Sequence, residues 1–183
     1  MLEAAGIPFE LRNTVLDEEG VKAALRREGT NAARLAARLA EAKALAVRDA
    51  GPALVLGADQ TLELDDGTML DKPASCAIAA EQLRTLSGRS HQLHSAAAVA
   101  EGGQIVWAET ESVTLHVRPL SAAFIACYLD DEFETVRHGV GGYRIEGAGV
   151  QLFDRIEGSH FAILGLPLLA LLGYLRHRGV LPS

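Results

Sequence analysis

LVLGADQTLELDDGTMLDKP, residues 54–73, combines a strand pattern with side chains suited to chemistry. The apolar run at its start, Ala53–Leu56, lies between a proline and a glycine, which predicts a short strand buried on both faces. Asp59 and Gln60 follow almost at once. We therefore expect a carboxylate and an amide where the strand leaves the core, the usual place for a site in an open α/β sheet.

The second half of this stretch predicts a hairpin. Thr61–Leu64 has the pattern of a second strand, and Asp65–Thr68, DDGT, is a turn sequence that would fold Met69–Leu70 back on it. A hairpin of this length can bring Asp59 and Lys72 to the same end of the ladder. A carboxylate that could bind a metal or act as a general base, and a cation that could bind phosphate, are then expected close together.

Composition bounds the class of protein. The chain has 183 residues, 49% of them hydrophobic, which is enough for one compact unit with a sizeable core. Its formal charge of −7 gives no global attraction to nucleic acid or to an anionic membrane, so any phosphate recognition must be local. Two cysteines without paired ligand spacing argue against a zinc site or a disulfide scaffold. Without a signal-peptide pattern or an unbroken apolar span, we expect a soluble cytoplasmic protein.

The flanking sequence predicts helices and strands in an α/β arrangement, with a mixed sheet that has an exposed edge. The expected helices are Asn31–Arg48, Ser75–Leu86, Ser121–Leu129 and Leu166–Arg178, of which the first three are expected to be capped by Asn31, Ser75 and Ser121. Ile78 is expected on the inner face of the second helix. The expected strands include Phe9–Leu11, Gln92–Val99 and Gln104–Arg118. On the first of these helices, Lys43 would normally be an exposed, solubilising charge. The six histidines show no paired ligand spacing and are expected to be surface or satisfied residues.

Two further segments leave alternatives open. The acidic run Leu16–Gly20 is typical of a solvated helix start. The glycine-rich segment His138–Gly149, HGVGGYRIEGAG, is neither a Walker loop nor a dinucleotide fingerprint. Its glycines would let backbone approach a ligand closely, with Tyr143 and Glu146 carried on the segment. From these residues alone, an ordinary loop and a binding loop are equally consistent.

Five motifs taken together resemble the Maf family. They are GADQT (57–61), DKP (71–73), LSGRSHQL (86–93), GGYRIEGAG (141–149) and ILGLPL (163–168). The resemblance implies one Maf-like domain over residues 1–183, with a long twisted mixed sheet, flanking helices and two lobes around a cleft. It also implies hydrolysis of a nucleoside triphosphate to the monophosphate and pyrophosphate in a house-cleaning role. A divalent metal, Mg²⁺ or Mn²⁺, and a homodimer are implied as well.

The resemblance also assigns roles to individual residues. Asp59 matches the family's catalytic aspartate, and Lys72 matches the lysine of its GKP motif, where this chain has Asp71 for the glycine. Glu18 falls on an acidic residue that helps Asp59 to hold the metal. Lys43 falls on a lysine of the family's next helix, which makes it a candidate substrate ligand.

Three residues are candidates for recognising the base: Gln60, Tyr143 and Glu146. The dTTP/UTP branch of the family usually has Thr and Gln where this chain has Gln60 and Glu146, whereas the 7-methyl-GTP branch is similar to this chain at both positions. A buried carboxylate facing the base would also suit a cationic methylated guanine, because opposite charge offsets the cost of desolvation.

Two departures from the family's sequence pattern leave functions other than hydrolysis open. The family opens with a strand and a Ser-x-Ser-x-x-Arg loop that grips the triphosphate. The given sequence shows no such loop before Met1, and both a misplaced start codon and a real truncation are open explanations. The lysine that often precedes the GxYxIQG motif is replaced as well, since residues 138–140 are His-Gly-Val. A weakly active or inactive nucleotide-binding regulator of septum formation, or a poorly active fragment, is therefore an alternative to the enzyme.

Overall fold

The computed structural model describes residues 1–182, which form an α/β fold. The helices are α1 (Glu18–Arg27), α2 (Ala32–Leu45), α3 (Cys76–Leu86), α4 (Ala122–Val136), α5 (His160–Ile163) and α6 (Leu168–His177). The strands are β1 (Val55–Leu64), β2 (Met69–Leu70), β3 (Ser90–Glu101), β4 (Gln104–Val117) and β5 (Phe153–Glu157). They form one sheet in the order β2-β1-β3-β4-β5. The predicted α/β class with flanking helices is confirmed, but the sheet is antiparallel rather than mixed.

Strand β1 runs without a break through the stretch that was expected to hold two strands. Asp59 and Gln60 therefore lie in the interior of a ten-residue strand, not at its exit from the core. The long strand β3 is its neighbour in the sheet on one side, whereas β2 pairs only with Leu62 and Glu63 near its end. The predicted hairpin is confirmed, since β1 and β2 pair antiparallel with Leu62 opposite Leu70.

The segment before α1 contains no strand. Gly6 has φ +72°, and the amide of Ile7 donates to the carbonyl of Leu2 at 3.0 Å, so residues 2–7 form a turn that ends at a glycine. Residues 7–17 then have no regular secondary structure, so the predicted strand Phe9–Leu11 is wrong. Its apolar alternation is real, but Phe9 and Leu11 are 48% and 88% exposed, so those side chains have no buried face to occupy.

The chain divides into two compact units, the first of which comprises residues 1–59, 95–111 and 165–182. Its core includes an alanine-rich cluster: Ala36, Ala40 and Ala44 of α2 with Ala96, Ala98 and Ala100 of β3. The predicted cap of α2 is confirmed, because the Asn31 side chain accepts a hydrogen bond from the amide of Arg34 at 2.9 Å. Such small side chains let the helix lie close to the sheet.

Gly57 on β1 lies directly against the backbone of α2. A Cβ atom at this position would lie 2.2 Å from the carbonyl oxygen of Ala40 and 2.5 Å from the amide nitrogen of Ala44. Both contacts are with backbone, which cannot rotate away as a side chain could. Only glycine therefore fits between this strand and this helix.

The second unit comprises residues 60–94 and 112–164 and has a larger apolar core. Leucines and valines of β1, β3 and β4 pack there with the inner faces of α3 and α4. The predicted caps Ser75 and Ser121 each accept a hydrogen bond from an amide three residues on. The buried stripe of α3 is Ala79, Leu83 and Leu86, so Ile78, which was expected on the inner face, lies one position off the stripe and is 46% exposed.

Gly57→Ala should destabilise the protein, because its methyl group must push α2 away from β1. Overpacking of this kind typically costs about 1–3 kcal/mol. Urea unfolding can be followed by the fluorescence of the single tryptophan, Trp107, which stacks on Tyr174 in the first unit at 5.2 Å.

Gly173→Ala is the matched control for this substitution. Gly173 lies in α6, where an added Cβ meets nothing within 4 Å, so alanine should be neutral or stabilise by about 1 kcal/mol. Equal unfolding midpoints for the two variants would contradict the importance of the close contact at Gly57.

Candidate active site

A three-residue ion cluster lies in the first unit. The Nζ atom of Lys43 is 2.5 Å from Oδ1 of Asp59 and 3.0 Å from Oε2 of Glu18. The Asp59 side chain is 11% exposed and that of Lys43 is 27% exposed, so the cluster is half-buried but open to solvent on one side. The structure thus brings together three residues that are separated by up to 41 positions in the sequence, 18 to 59.

Local structure explains how each member reaches the cluster. Glu18 is the first residue of α1, a helix start capped by Asp17, whose side chain accepts from the amide of Gly20 at 2.9 Å. This is the solvated helix start that the acidic run predicted. Asp59 follows Gly57 by two residues, so strand alternation directs both toward α2. Lys43 precedes Ala44, whose backbone contacts Gly57, and its side chain meets Asp59 there.

The two carboxylates govern the charge state of Lys43. Burial, the largest single effect, works to lower the pKa of the ammonium group. The hydrogen bonds and charges of Asp59, followed by those of Glu18, outweigh it and raise the pKa above its usual value. Lys43 is therefore a fixed positive charge at neutral pH and not an exposed solubilising residue, as its position on the helix alone had predicted.

Lys72 does not belong to this cluster. It lies in the second unit, two residues after β2, and its side chain is exposed. No ion pair involves its ammonium group in residues 1–182. The cation that contacts Asp59 in the first unit is Lys43. The role of Lys72 as a phosphate ligand stays a prediction.

A cavity of about 210 Å³ lies in the second unit. Gln60, Tyr143 and Glu146, the three residues predicted to recognise a base, all line it. The rest of its lining comprises the apolar residues Leu93, Val140, Ile145, Ile163 and Leu164, together with Gly139 and the cationic Arg144. Ligand sites commonly combine apolar walls with a few placed polar groups. The glycine-rich segment is therefore a wall of the cavity and not merely a connection between elements.

The hydrogen bonds of the Gln60 side chain and a glycine at position 141 shape this cavity. The Nε2 group of Gln60 donates to the carbonyl oxygens of Ala162 at 2.9 Å and Ile163 at 3.1 Å, which fixes the orientation of its amide group. Gly141 has φ +83°, and a Cβ there would lie 2.6 Å from Cε1 of Tyr143. Glycine at this position thus lets the Tyr143 ring pack against the loop.

His91 is a buried residue behind the cavity wall that the sequence analysis did not single out. It is 1% exposed, and its Nε2 lies 2.7 Å from the hydroxyl oxygen of Tyr143. Burial lowers the pKa of His91 to about 4, with a smaller contribution from the charge of His116. One pattern could have indicated this burial: His91 and Leu93 occupy alternate positions of β3, and both are buried.

The ion cluster has donors that suit a divalent metal carried by a phosphate ligand. Within the described chain, no group of three His, Cys, Asp or Glu side chains could hold a metal ion by itself. Glu18 and Asp59 nevertheless converge on one point, marked by the Nζ atom between them. Mg²⁺ is commonly held by one or two carboxylates together with substrate phosphates and water. The two carboxylates therefore fit that kind of site.

The chain belongs to the Maf family: residues 1–178 match the family described as Maf-like protein. A nucleoside triphosphate pyrophosphatase of Sphingopyxis alaskensis is 48% identical over 184 residues, covering 100% of this chain and 93% of the relative. A protein of the same name from Rhodopseudomonas palustris strain BisB18 is 52% identical, covering 99% of this chain and 89% of its own length. A 7-methyl-GTP pyrophosphatase of Rhizobium meliloti is 44% identical, covering 100% and 92%.

The buried state of His91 predicts a pH dependence of stability. The unfolded chain takes up a proton on His91 near pH 6.5, whereas the folded chain does so only near 4. The free energy of unfolding therefore loses nothing to His91 above pH 6.5. As the pH falls from 6.5 toward 4, proton uptake by the unfolded chain lowers this free energy by up to about 3 kcal/mol. His91→Gln should flatten this slope in urea unfolding measured between pH 7 and pH 4.5.

His177→Gln, at an exposed position near the end of α6, is the matched control substitution. It should keep the wild-type slope. If His91→Gln and His177→Gln both kept that slope, His91 would not be buried in its neutral form.

Proposed function

We propose that this chain is a nucleoside triphosphate pyrophosphatase with a house-cleaning role, producing a nucleoside monophosphate and pyrophosphate. The observation that carries the proposal is the half-buried cluster of Lys43, Asp59 and Glu18. Carboxylates and a fixed cation at one place are the groups that phosphoryl chemistry needs for a water nucleophile and for charge neutralisation. Full-length similarity to relatives with this activity in their names supports the same reading.

The reaction requires water to attack the α-phosphorus of the triphosphate. A bond forms between the water oxygen and that phosphorus, and the bond to the bridging oxygen breaks as pyrophosphate leaves. Asp59 accepts the proton of the water, directly or through a second water. Lys43, whose pKa is raised by its two carboxylate partners, supplies a permanent positive charge beside the anionic phosphates.

Glu18 and Asp59 would hold the divalent metal, Mg²⁺ or Mn²⁺, together with oxygens of the triphosphate. When bound, such an ion neutralises phosphate charge and makes a coordinated water more acidic. Lys72 is proposed as an additional phosphate ligand, since it is an exposed ammonium group with no ion pair among residues 1–182.

The cavity of the second unit is proposed as the base site. Its volume, about 210 Å³, is below the roughly 300–1,000 Å³ typical of sites for drug-sized ligands, so it suits one base and not a whole nucleotide. The amide protons of Gln60 are directed at backbone carbonyls, so its oxygen is the group suited to accept from a base. Glu146 adds a second acceptor. An N–H-rich edge such as that of guanine matches these acceptors.

We further propose 7-methyl-GTP as the preferred substrate. Methylation at N7 gives guanine a positive charge, and the Glu146 carboxylate at the cavity offers the opposite charge. The similarity to the 7-methyl-GTP pyrophosphatase of Rhizobium meliloti supports this choice. A cytoplasmic location and a homodimer are proposed on the family resemblance. The described helices include none that could span a membrane.

Asp59→Asn tests the chemical role of the cluster. The change removes the proton acceptor while keeping the shape of the side chain, so pyrophosphate release should fall by about 10²- to 10³-fold. A coupled pyrophosphate assay with Mg²⁺ and a panel of nucleoside triphosphates measures this. Asp49→Asn, at an exposed position before β1, is the control and should keep full turnover.

An Asp59→Asn protein with near-wild-type turnover would refute the assignment. Saturable nucleotide binding by the wild type without pyrophosphate release would favour the alternative, a nucleotide-binding regulator of septum formation.

Glu146→Gln tests the choice of base. Glu146 is exposed, so its charge is partly screened and its attraction to a cationic base should be worth no more than about 1 kcal/mol. The ratio of kcat/KM for 7-methyl-GTP to that for GTP should fall by about fivefold. Glu134→Gln, at an exposed position on α4, should leave the ratio unchanged. An unchanged ratio in Glu146→Gln would remove the electrostatic basis for a methylated base.

A further inference from the structure

His91 and Tyr143 form a buried pair beside the proposed base site. The Nε2 atom of His91 lies 2.7 Å from the hydroxyl oxygen of Tyr143, and both residues belong to the second unit. The Tyr143 ring also packs edge-on against Phe153, with the ring centroids 4.9 Å apart. Tyr143 is 9% exposed and is part of the cavity wall, whereas His91 is not. Any effect of His91 on a ligand in the cavity must therefore pass through Tyr143.

Counting protons decides which partner donates. A neutral imidazole carries one N–H group, and the Nδ1 atom of His91 is buried with no hydrogen-bond partner in residues 1–182. Either tautomer leaves one donor of the pair unpaired. With the proton on Nδ1, that donor is the buried Nδ1–H group, which has no acceptor in reach among the described residues. With the proton on Nε2, it is the hydroxyl of Tyr143, a residue of the cavity wall, where a ligand can accept from it. Buried N–H groups without partners are rare in folded proteins. The arrangement favours Nε2–H of His91 as the donor and the Tyr143 oxygen as the acceptor.

We infer that His91 is a positioning residue that holds the Tyr143 hydroxyl by Nε2–H donation and thereby directs the phenol proton into the cavity, toward an acceptor on the base. The inference rests on the proposed function, since it takes the ligand to be a nucleotide. It adds one donor to the acceptors Gln60 and Glu146. A donor beside acceptors matches the oxygen at position 6 and the adjacent N–H of guanine, and it opposes the amino group of adenine.

Both groups keep these protonation states over the working range of an enzyme. Burial, with a smaller contribution from Tyr128, raises the pKa of Tyr143 far above its usual value, so the phenol retains its proton. Burial lowers the pKa of His91 to about 4, so the imidazole stays neutral near pH 7. The direction of the hydrogen bond is thus fixed by structure and not by the buffer.

A double-mutant cycle tests the inference. Wild type, Tyr143→Phe, His91→Leu and the double variant are compared by calorimetric titration with GTP and ATP, and by kcat and KM for pyrophosphate release. Each single change should weaken GTP binding about tenfold and raise KM accordingly, with little change in kcat or in ATP binding. The double variant should be no weaker than either single variant, because both changes remove the same donated proton.

His91→Gln tests whether a loss of GTP affinity in His91→Leu comes only from a change in the protein's structure. The glutamine amide places an N–H group close to the former Nε2 position, so it should restore GTP affinity to within about threefold even if thermal stability falls. The imidazole ¹⁵N spectrum of the wild type gives a separate readout. The His91 signals are identified by their absence from the spectrum of His91→Gln, and they should show a protonated Nε2 and an unprotonated Nδ1.

The outcomes separate this inference from the proposed function. Multiplicative losses in the double variant, no rescue by His91→Gln, or a protonated Nδ1 would overturn the inference while leaving hydrolysis intact. The protein could also release no pyrophosphate while the double variant binds GTP no more weakly than either single variant. That result would support the inference and refute the proposed activity. A wild type that binds neither nucleotide would overturn both.

Discussion

The close contact between α2 and β1 at Gly57 is the constraint on which the candidate site depends. Because Gly57 has no side chain, the backbone of α2 at Ala40 and Ala44 lies directly against the strand. A methyl group there would overlap both residues. With the helix at this distance, Lys43 meets Asp59, two residues along the strand, at 2.5 Å. The ion cluster of the first unit thus follows from a packing requirement in its alanine-rich core.

Stability alone does not account for the ion cluster. Partly buried ion pairs often do no better than apolar side chains of similar size, because desolvation offsets most of the Coulombic gain. Lys43 shows this balance, since burial is the largest single influence on its pKa and two carboxylates are needed to outweigh it. Beside a cluster formed by alanines, an apolar residue would pack as well. Charges kept at such a position are typical of a functional site.

The sequence predicted features that depend on local chemistry and missed those that depend on tertiary contacts. The β1–β2 turn and the caps of α2, α3 and α4 follow from short motifs, and all were confirmed. Gly57 was taken as the end of a strand, because its actual role, a close helix contact, is visible only once α2 is in place. Lys43 and His91 were missed from pattern alone for the same reason. Only the family resemblance singled out Lys43, and nothing singled out His91.

Turnover by Gly57→Ala is the most direct test of this account, measured beside Gly173→Ala at a temperature where Trp107 fluorescence shows both variants folded. The account predicts that Gly57→Ala loses at least about tenfold in kcat, since a shift of α2 by a fraction of an ångström moves Lys43 relative to Asp59, and misplacement by 1 Å can cost about 10²-fold. Gly173→Ala should keep wild-type turnover. A folded Gly57→Ala protein with undiminished kcat would contradict the claim that this contact builds the catalytic cluster.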